Sequence, residues 1–357
     1  MSQRVNPYLK QDLLEFGVKD WNECFHCGNC TATCPLTEDG SLFPRKAIRQ
    51  AQMGLKLSLE ANVDPWLCYY CGDCSESCPR DANPGELMMA LRRWQTVKYE
   101  WTGLAGLFYK SLASLIIALV LVAIAIFAIA YTKDFNHEAL MHFGHSLEFW
   151  LIICVFSIIL VPNLIRMFYF TVIKAKVKAP FGSYISGFFF LIGHMFTQIR
   201  TFKCDKQTTR WLAHFLVVSG YLSLLVITVF LNWFGTENQL IINLGYITGG
   251  LVFIFTFILI ISRLSKNREL NKYSHSTDWF FIIWLFLMGL TAFLVRLFID
   301  IDMLTNNFWL YMIHLMIITQ WGLLLVPFGK WTHFLYRSFA VYFSNLKIAG
   351  LKKQGKL

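Results

Sequence analysis

The sequence predicts an all-α protein in two parts, a soluble helical domain of about 100 residues followed by a six-helix transmembrane bundle. Three observations support this fold class. Hydrophobic residues make up 56% of the 357 residues, more than soluble domains contain. Most apolar residues follow residue 100, in six runs long enough to cross a bilayer. Eight cysteines lie before residue 100, and apolar residues at 45–59 recur at helical spacing.

The soluble part, 1–100, is expected to contain short helices and no β-hairpin. The segments 44–53 and 84–98 each begin with a proline, which suits the first turn of a helix. The segment 86–99 then leads toward the membrane. The membrane part is predicted at 101–335, with a basic tail at 336–357.

Six segments are predicted to span the membrane, because each supplies roughly 20 mainly apolar residues. They are 111–131, 147–169, 212–231, 244–261, 279–299 and 308–329. A further apolar stretch, 181–197, has basic clusters on both sides. A seventh span would place one of those clusters outside, so we expect an interfacial or re-entrant helix on the cytoplasmic face.

The charge distribution predicts the topology. Residues 1–100 carry 11 Lys and Arg against 13 Asp and Glu, whereas the remainder carries 21 against 9. Nineteen of these 21 basic residues lie on one side of the predicted spans, which the positive-inside rule makes cytoplasmic. Both termini are then cytoplasmic, and no signal peptide is apparent. The net charge of +10 therefore indicates membrane orientation and not a nucleic-acid partner.

The eight cysteines form two copies of the pattern C-x-x-C-x-x-C-x-x-x-C-P. This run binds two [4Fe–4S] clusters in bacterial-type ferredoxins, where the fourth cysteine of each run ligates the other cluster. Disulfides do not suit a reducing cytoplasm, and zinc sites usually close with pairs of C-x-x-C. We therefore predict cluster 1 at Cys24, Cys27, Cys30 and Cys78, and cluster 2 at Cys68, Cys71, Cys74 and Cys34.

Histidines in the apolar half are candidate haem ligands, because a polar side chain inside a bilayer is costly. His214 and His333 lie at the cytoplasmic ends of the third and sixth spans. These helices run antiparallel, so both residues reach one leaflet and could ligate one haem b, unless His333 merely lies among the headgroups. A second, outer haem would use His314 with His145 or His142.

Three residues are candidates for a quinone site. The candidates are Glu148, one turn beyond His145, together with Arg296 and His194. For Arg296 the competing interpretation is an ion pair with Asp300, four residues later on the same helix. Cys154 and Cys204 lie outside the motifs, and we assign them no role.

The cysteine runs, with Pro44 between them and Pro79 and Pro84 after them, resemble the C subunit of heterodisulfide reductases, which has an α-helical ferredoxin fold. The membrane half resembles the haem b subunits of respiratory nitrate reductase and heterodisulfide reductase. The residues that carry this second likeness are Arg210, Trp211, His214 and Gly220, then His314, Pro327, Lys330 and His333. Leu224 stands where the nitrate reductase pattern has a second histidine.

The fused membrane subunits of quinone-interacting membrane-bound oxidoreductase (Qmo) complexes join these halves in the same order. The resemblance implies two soluble partner subunits with flavin and iron–sulfur centres, and electron exchange between menaquinone and adenylylsulfate reductase. Two other functions stay open. One is a membrane subunit that serves another cytoplasmic oxidoreductase, and the other is a cluster-bearing anchor without haem. A disulfide-reducing catalytic subunit would need more cysteines than the two that remain.

Overall fold

The computed structural model describes residues 4–37, 42–198, 208–230, 234–235, 238–266 and 269–355. These described residues are all-α, as predicted, and they contain no β-strand. The helices of the cysteine-rich part are α1 (Leu9–Leu14), α2 (Asn29–Thr33), α3 (Arg45–Gln52), α4 (Lys56–Glu60), α5 (Asp64–Leu67), α6 (Asp73–Glu76) and α7 (Pro84–Tyr99).

The remaining helices are longer and mostly apolar. They are α8 (Leu104–Lys110), α9 (Leu112–Thr132), α10 (His137–Ile173), α11 (Phe181–Thr197), α12 (Thr208–Val229), α13 (Gln239–Ser265), α14 (Glu269–Lys272), α15 (Ser276–Asp300), α16 (Thr305–Phe328) and α17 (His333–Lys353).

Helix α7 is the centre of the cysteine-rich part. It begins with Pro84, which fixes the first helical turn. Leu87 and Trp94 on α7 are no more than 1% exposed, and they belong to the same core cluster as Leu13 and Ile48. The cysteine loops are thus attached to a helix that continues toward the membrane.

Six of the described helices are long and apolar enough to cross a membrane, which confirms the predicted transmembrane bundle: α9, α10, α12, α13, α15 and α16. Glycines allow the close approach of three of them. A Cβ on Gly289 of α15 would lie 2.9 Å from the backbone nitrogen of Phe253 on α13. A Cβ on Gly220 of α12 would lie 3.1 Å from the carbonyl oxygen of Thr248, also on α13. Helix α13 therefore packs tightly between α12 and α15.

Helix α11 is the shorter apolar helix predicted to lie on the cytoplasmic face. It packs on α17, where Gly187 faces the ring of Tyr342 and the Tyr342 hydroxyl donates to the Tyr184 carbonyl at 3.2 Å. Its opposite side exposes large rings, including Phe181 at 78% and Phe189 at 69%. An exposed aromatic side is what an interfacial helix requires.

The predicted basic tail at 336–357 is helical as far as Lys353, and much of it is packed. The ring of Tyr336 lies 5.2 Å from Trp66 of α5 and 5.7 Å from Tyr99 of α7, both edge-on. Val341 and Leu346 are also buried. The C-terminal helix therefore connects the cysteine-rich part to the membrane bundle.

A buried charge cluster joins the same two parts. Asp278, at the start of α15, pairs with Lys330 at 3.0 Å and with Arg93 of α7 at 3.6 Å. Arg93 also donates through Nε to the Phe16 carbonyl at 2.8 Å. One carboxylate thus bridges a cation of the cysteine-rich part and a cation that follows the last span.

Candidate cluster and haem sites

The two cysteine motifs share one backbone conformation. In the first, His26 and Gly28 have φ of 64° and 89°, and in the second, Tyr70 and Gly72 have φ of 55° and 101°. Each pair occupies the same two places in its motif, and each glycine is followed by a short helix that carries the third cysteine. A left-handed conformation is costly for His and Tyr, so its repetition indicates that both loops are shaped for the same purpose.

The second motif surrounds a cavity. Cys68, Cys71 and Cys74 line it together with Cys34 from the first motif. This is the set of four predicted for cluster 2, including the fourth cysteine from the other run. Burial raises the pKa of the Cys34 thiol to about 12, and of the Cys71 thiol to about 11. Such thiols are protonated at neutral pH until a metal replaces the proton.

The first motif lies close to Cys78, the fourth cysteine predicted for cluster 1. Burial raises the pKa of the Cys30 thiol, and Cys24, Cys27 and Cys78 lie close enough to raise it further. The Asn29 side chain donates to the Ser77 carbonyl, which joins the first loop to the residue before Cys78. The two loops thus exchange their fourth cysteines.

The spacing of these side chains disfavours a single-ion site. Among the described residues, no three His, Cys, Asp or Glu side chains converge closely enough to hold one metal ion. A four-iron cluster needs thiolates that are farther apart, because each sulfur bonds a different corner of the cube. The donor set therefore fits two clusters better than zinc, which binds four ligands at about 2.3 Å.

Arginines surround the buried end of the second motif. Arg92 donates to the Cys68 carbonyl, and Arg210 donates to the Tyr69 carbonyl at 3.2 Å. The Arg337 guanidinium lies 3.6 Å from the centroid of the Tyr69 ring. Burial raises the pKa of the Cys68 thiol, whereas these three cations lower it. The cations favour negative charge at this site, which a cluster with four thiolates carries.

His214 and His333, the predicted inner pair, lie together. Their ring centroids are 6.5 Å apart, with 66° between the ring planes. Two imidazoles that bind one metal ion from opposite sides, with bonds of about 2 Å each, have centroids about 6 Å apart. Both rings line the same cavity, so these residues fit a haem iron with two histidine ligands.

The protonation state of His333 also suits a residue that acts as a metal ligand. Its Nδ1 lies 2.5 Å from the Lys330 carbonyl oxygen, so Nδ1 carries the hydrogen and Nε2 keeps its lone pair. Burial lowers the pKa of His333 well below its usual value, and His214 lowers it further. A neutral imidazole with a free Nε2 is the form that binds a metal.

His194, a weaker candidate, faces the cavity of the inner pair. It is 4% exposed, and it lines this cavity together with Tyr69 and Arg337. Tyr69 also lines the cavity of the second cysteine motif. The two cavities therefore share one wall residue.

The outer histidines are not brought together in the same way. His314 accepts or donates a hydrogen bond at Nδ1 with the Thr291 hydroxyl, at 2.8 Å. His142 is exposed and His145 half-buried, and in the described part of the chain no ring contact joins either of them to His314. The structure thus does not pair the outer histidines as it pairs His214 and His333.

The remaining candidates lie apart from the inner pair. Arg296 forms an ion pair with Asp300, the partner expected from the spacing of four residues. Glu148 is half-buried on α10 and lies near Tyr311 of α16. Cys154 is exposed on α10, and Cys204 lies outside the described residues.

Sequence reasoning did not find the cations around these sites. Arg92 and Arg337 are separated by 245 positions in the sequence, and the fold brings both close to Cys68. The one signal was that Arg337 follows His333 by four residues, which places both on one side of a helix.

Known proteins resemble the cysteine-rich part. Residues 20–82 match the family described as 4Fe-4S dicluster domain. A protein of Archaeoglobus profundus that is named for its likeness to the C subunit of heterodisulfide reductase is 36% identical over 106 residues, 29% of this chain and 54% of that protein. The C2 subunit of the H2/formate:CoB-CoM heterodisulfide, ferredoxin reductase of Methanococcus maripaludis is 37% identical over 99 residues, 26% of this chain and 53% of that protein.

The chain spans about half the length of these curated relatives. No solved structure matches it significantly. The family match covers both cysteine motifs. The chain therefore carries an iron–sulfur domain of the 4Fe-4S dicluster type, with an electron-transfer role, joined to six helices that could cross a membrane.

Proposed function

We propose that this chain is the membrane subunit of a quinone-dependent oxidoreductase complex. It exchanges electrons between membrane quinone and cytoplasmic flavin and iron–sulfur subunits, with haem b and two [4Fe–4S] clusters as its carriers. The chain transfers electrons and leaves substrate conversion to its partners. It lies in the cytoplasmic membrane with both termini inside.

The ligand sets follow the grouping of the cysteines. Cys24, Cys27, Cys30 and Cys78 hold cluster 1, and the four cysteines that line the cavity of the second motif hold cluster 2. Cys27 is exposed while Cys68 is buried, so cluster 1 faces a soluble partner and cluster 2 faces the membrane half. This order suits a chain of carriers that leads away from the bilayer.

The observation that carries the proposal is the position of Tyr69. This residue follows the cluster ligand Cys68 and lines both the cluster cavity and the cavity of His214 and His333. One residue therefore separates the two candidate carriers. A structural anchor would have no need to place paired imidazoles beside a cluster.

His214 and His333 would hold the inner haem, which would supply one-electron chemistry there. Arg337 lines the same cavity and offers a positive charge to an anionic group. A second haem, held by His314 with His145 or His142, is a weaker part of the proposal. Glu148, Arg296 and His194 stay as quinone-site candidates, with Arg296 less favoured because it is paired.

The partners are proposed from the likenesses. One relative is named as a subunit of a heterodisulfide, ferredoxin reductase, and the other is named for its likeness to a heterodisulfide reductase subunit, which favours a multisubunit complex. The order of the two halves further resembles Qmo membrane subunits. By that likeness, the quinone is menaquinone, the partners are two flavin and iron–sulfur subunits, and the final cytoplasmic exchange is with adenylylsulfate reductase.

Reduction of the clusters by a quinol analogue tests this function directly. The protein, purified with its native partners, should show cluster reduction by electron paramagnetic resonance after addition of reduced menadione. The His333→Ala variant should lose this reduction but keep reduction by dithionite, which needs no membrane carrier. Equal quinol-driven reduction in both proteins would contradict the proposal, and absence of b-type haem in the native protein would favour the anchor function.

A further inference from the structure

A separate cavity lies near His333. It is lined mainly by apolar side chains. Phe108, Phe281 and Phe328 supply three aromatic walls, and Leu324 supplies an aliphatic one. This cavity is distinct from the one shared by His214 and His333.

One end of the cavity is polar. Lys330 and Thr277 line it, and the Lys330 ammonium pairs with Asp278 at 3.0 Å. An ammonium group has three hydrogen-bond donors, so this ion pair leaves donors available. The Lys330 side chain is 32% exposed although its neighbours Phe328 and Thr332 are buried, which is consistent with its position at the cavity.

The cavity is next to the proposed haem ligand. The ring of Phe281 lies 6.0 Å from the ring of His333, edge-on. The Lys330 carbonyl accepts the Nδ1 hydrogen of the same histidine. A ligand in the cavity would thus be separated from His333 by one side chain or by one residue of backbone.

The position along the membrane suits a lipid-soluble ligand. Phe108 belongs to α8, just before the first span, and Leu324 lies four residues before the end of the last span. Phe281 lies in the second turn of α15. All three are at the same end of the bundle as the cysteine-rich part.

We propose that this cavity binds the ring of a quinone, with Lys330 as hydrogen-bond donor to a ring carbonyl. The inference rests on the proposed quinone-dependent function and assigns its site to residues other than Glu148, Arg296 and His194. A quinone ring is flat and apolar and ends in a carbonyl acceptor, which matches aromatic walls with one cation.

The first test fills the cavity. Leu324→Trp adds bulk to a lining residue, and Leu323→Trp adds the same bulk to the adjacent residue, which is 38% exposed and does not line the cavity. The probe is 2-heptyl-4-hydroxyquinoline N-oxide, a fluorescent quinol analogue, titrated into the full chain in nanodiscs. We expect Leu324→Trp to bind the probe at least tenfold more weakly than the wild type, and Leu323→Trp to bind it normally.

The second test removes the donor. Lys330→Met keeps the length of the side chain, and Lys110→Met is the control, because Lys110 is an exposed cation on α8 that pairs with Glu15. The first variant should also bind the probe at least tenfold more weakly, with the visible spectrum and the cluster signals unchanged. Those two signals do not depend on the probe, and they show that the variant is folded.

The outcomes separate the two proposals. Normal probe binding by both Leu324→Trp and Lys330→Met would overturn the site while leaving quinone dependence intact. Absence of probe binding by the wild type would overturn both the site and the proposed function. Loss of binding in the two cavity variants alone would support the site.

Discussion

The buried carboxylate of Asp278 offers the sharpest structural prediction. Its side chain is 14% exposed and lies between Lys330 at 3.0 Å and Arg93 at 3.6 Å, and the Arg93 side chain is 8% exposed. Asp278→Asn keeps the shape and removes the charge. The buried Arg93 and the partly exposed Lys330 would then face each other without a counter-charge. Breaking a buried pair costs about 3–5 kcal/mol, and we use about 3 kcal/mol because Lys330 is partly exposed.

This loss of stability should make local unfolding more frequent where the cysteine-rich part meets the membrane bundle. Because each factor of ten is worth about 1.4 kcal/mol, backbone amides of α7 around Arg93 should exchange hydrogen about 100-fold faster. Hydrogen–deuterium exchange followed by mass spectrometry measures this rate peptide by peptide. Asp302→Asn is the control, because Asp302 is exposed at the opposite end of α15. Unchanged exchange in α7 of Asp278→Asn would refute the argument that this charge joins the parts.

Three further predictions follow from other regions. Gly289→Leu should lower thermal stability in detergent by about 1–3 kcal/mol or more, because any Cβ meets the backbone of α13, whereas Gly250→Leu faces open space and should not. Arg337→Gln should lower the reduction potential of the cluster beside Tyr69 by roughly 50 mV in a redox titration, and leave the other cluster unchanged. Burial lowers the pKa of His275 to about 4, and Arg93 adds to the effect. A histidine in the unfolded chain titrates near pH 6.5. Protonation of His275 therefore leaves the free energy of unfolding unchanged above about pH 6.5 and lowers it by at most about 3 kcal/mol as the pH falls to about 4. Thermal unfolding of His275→Gln should depend less on pH over that range, and an identical pH profile would contradict this assignment.

Local sequence patterns were sufficient to predict the fold class and to name the candidate ligands. The cysteine spacing predicts two loops that exchange their fourth residues, and the structure brings Cys34 to the cavity of Cys68, Cys71 and Cys74. Hydropathy predicts six spans because each must bury its backbone polar groups within one helix. Antiparallel spans place His214 and His333 in one leaflet, and their rings lie 6.5 Å apart.

Contacts between distant segments could not be predicted in this way. The packing of α17 on α5 and α7 depends on Tyr336, Trp66 and Tyr99, which have no shared periodicity. The Arg93–Asp278–Lys330 cluster likewise joins residues from three separate segments. Helix spacing constrains neighbours within one helix only, so such contacts become visible only when the helices are packed.

The proposed electron path requires His214 and His333 to be ligands of one haem. The most direct measurement is the haem content of the purified His214→Ala and His333→Ala variants, from their pyridine haemochrome spectra, relative to cluster content by electron paramagnetic resonance. Both variants should lose the same haem while keeping both clusters, and His137→Ala, in the first turn of α10, should keep its haem. Unchanged haem content in either ligand variant would contradict the pairing and the proposed path of electrons beside Tyr69.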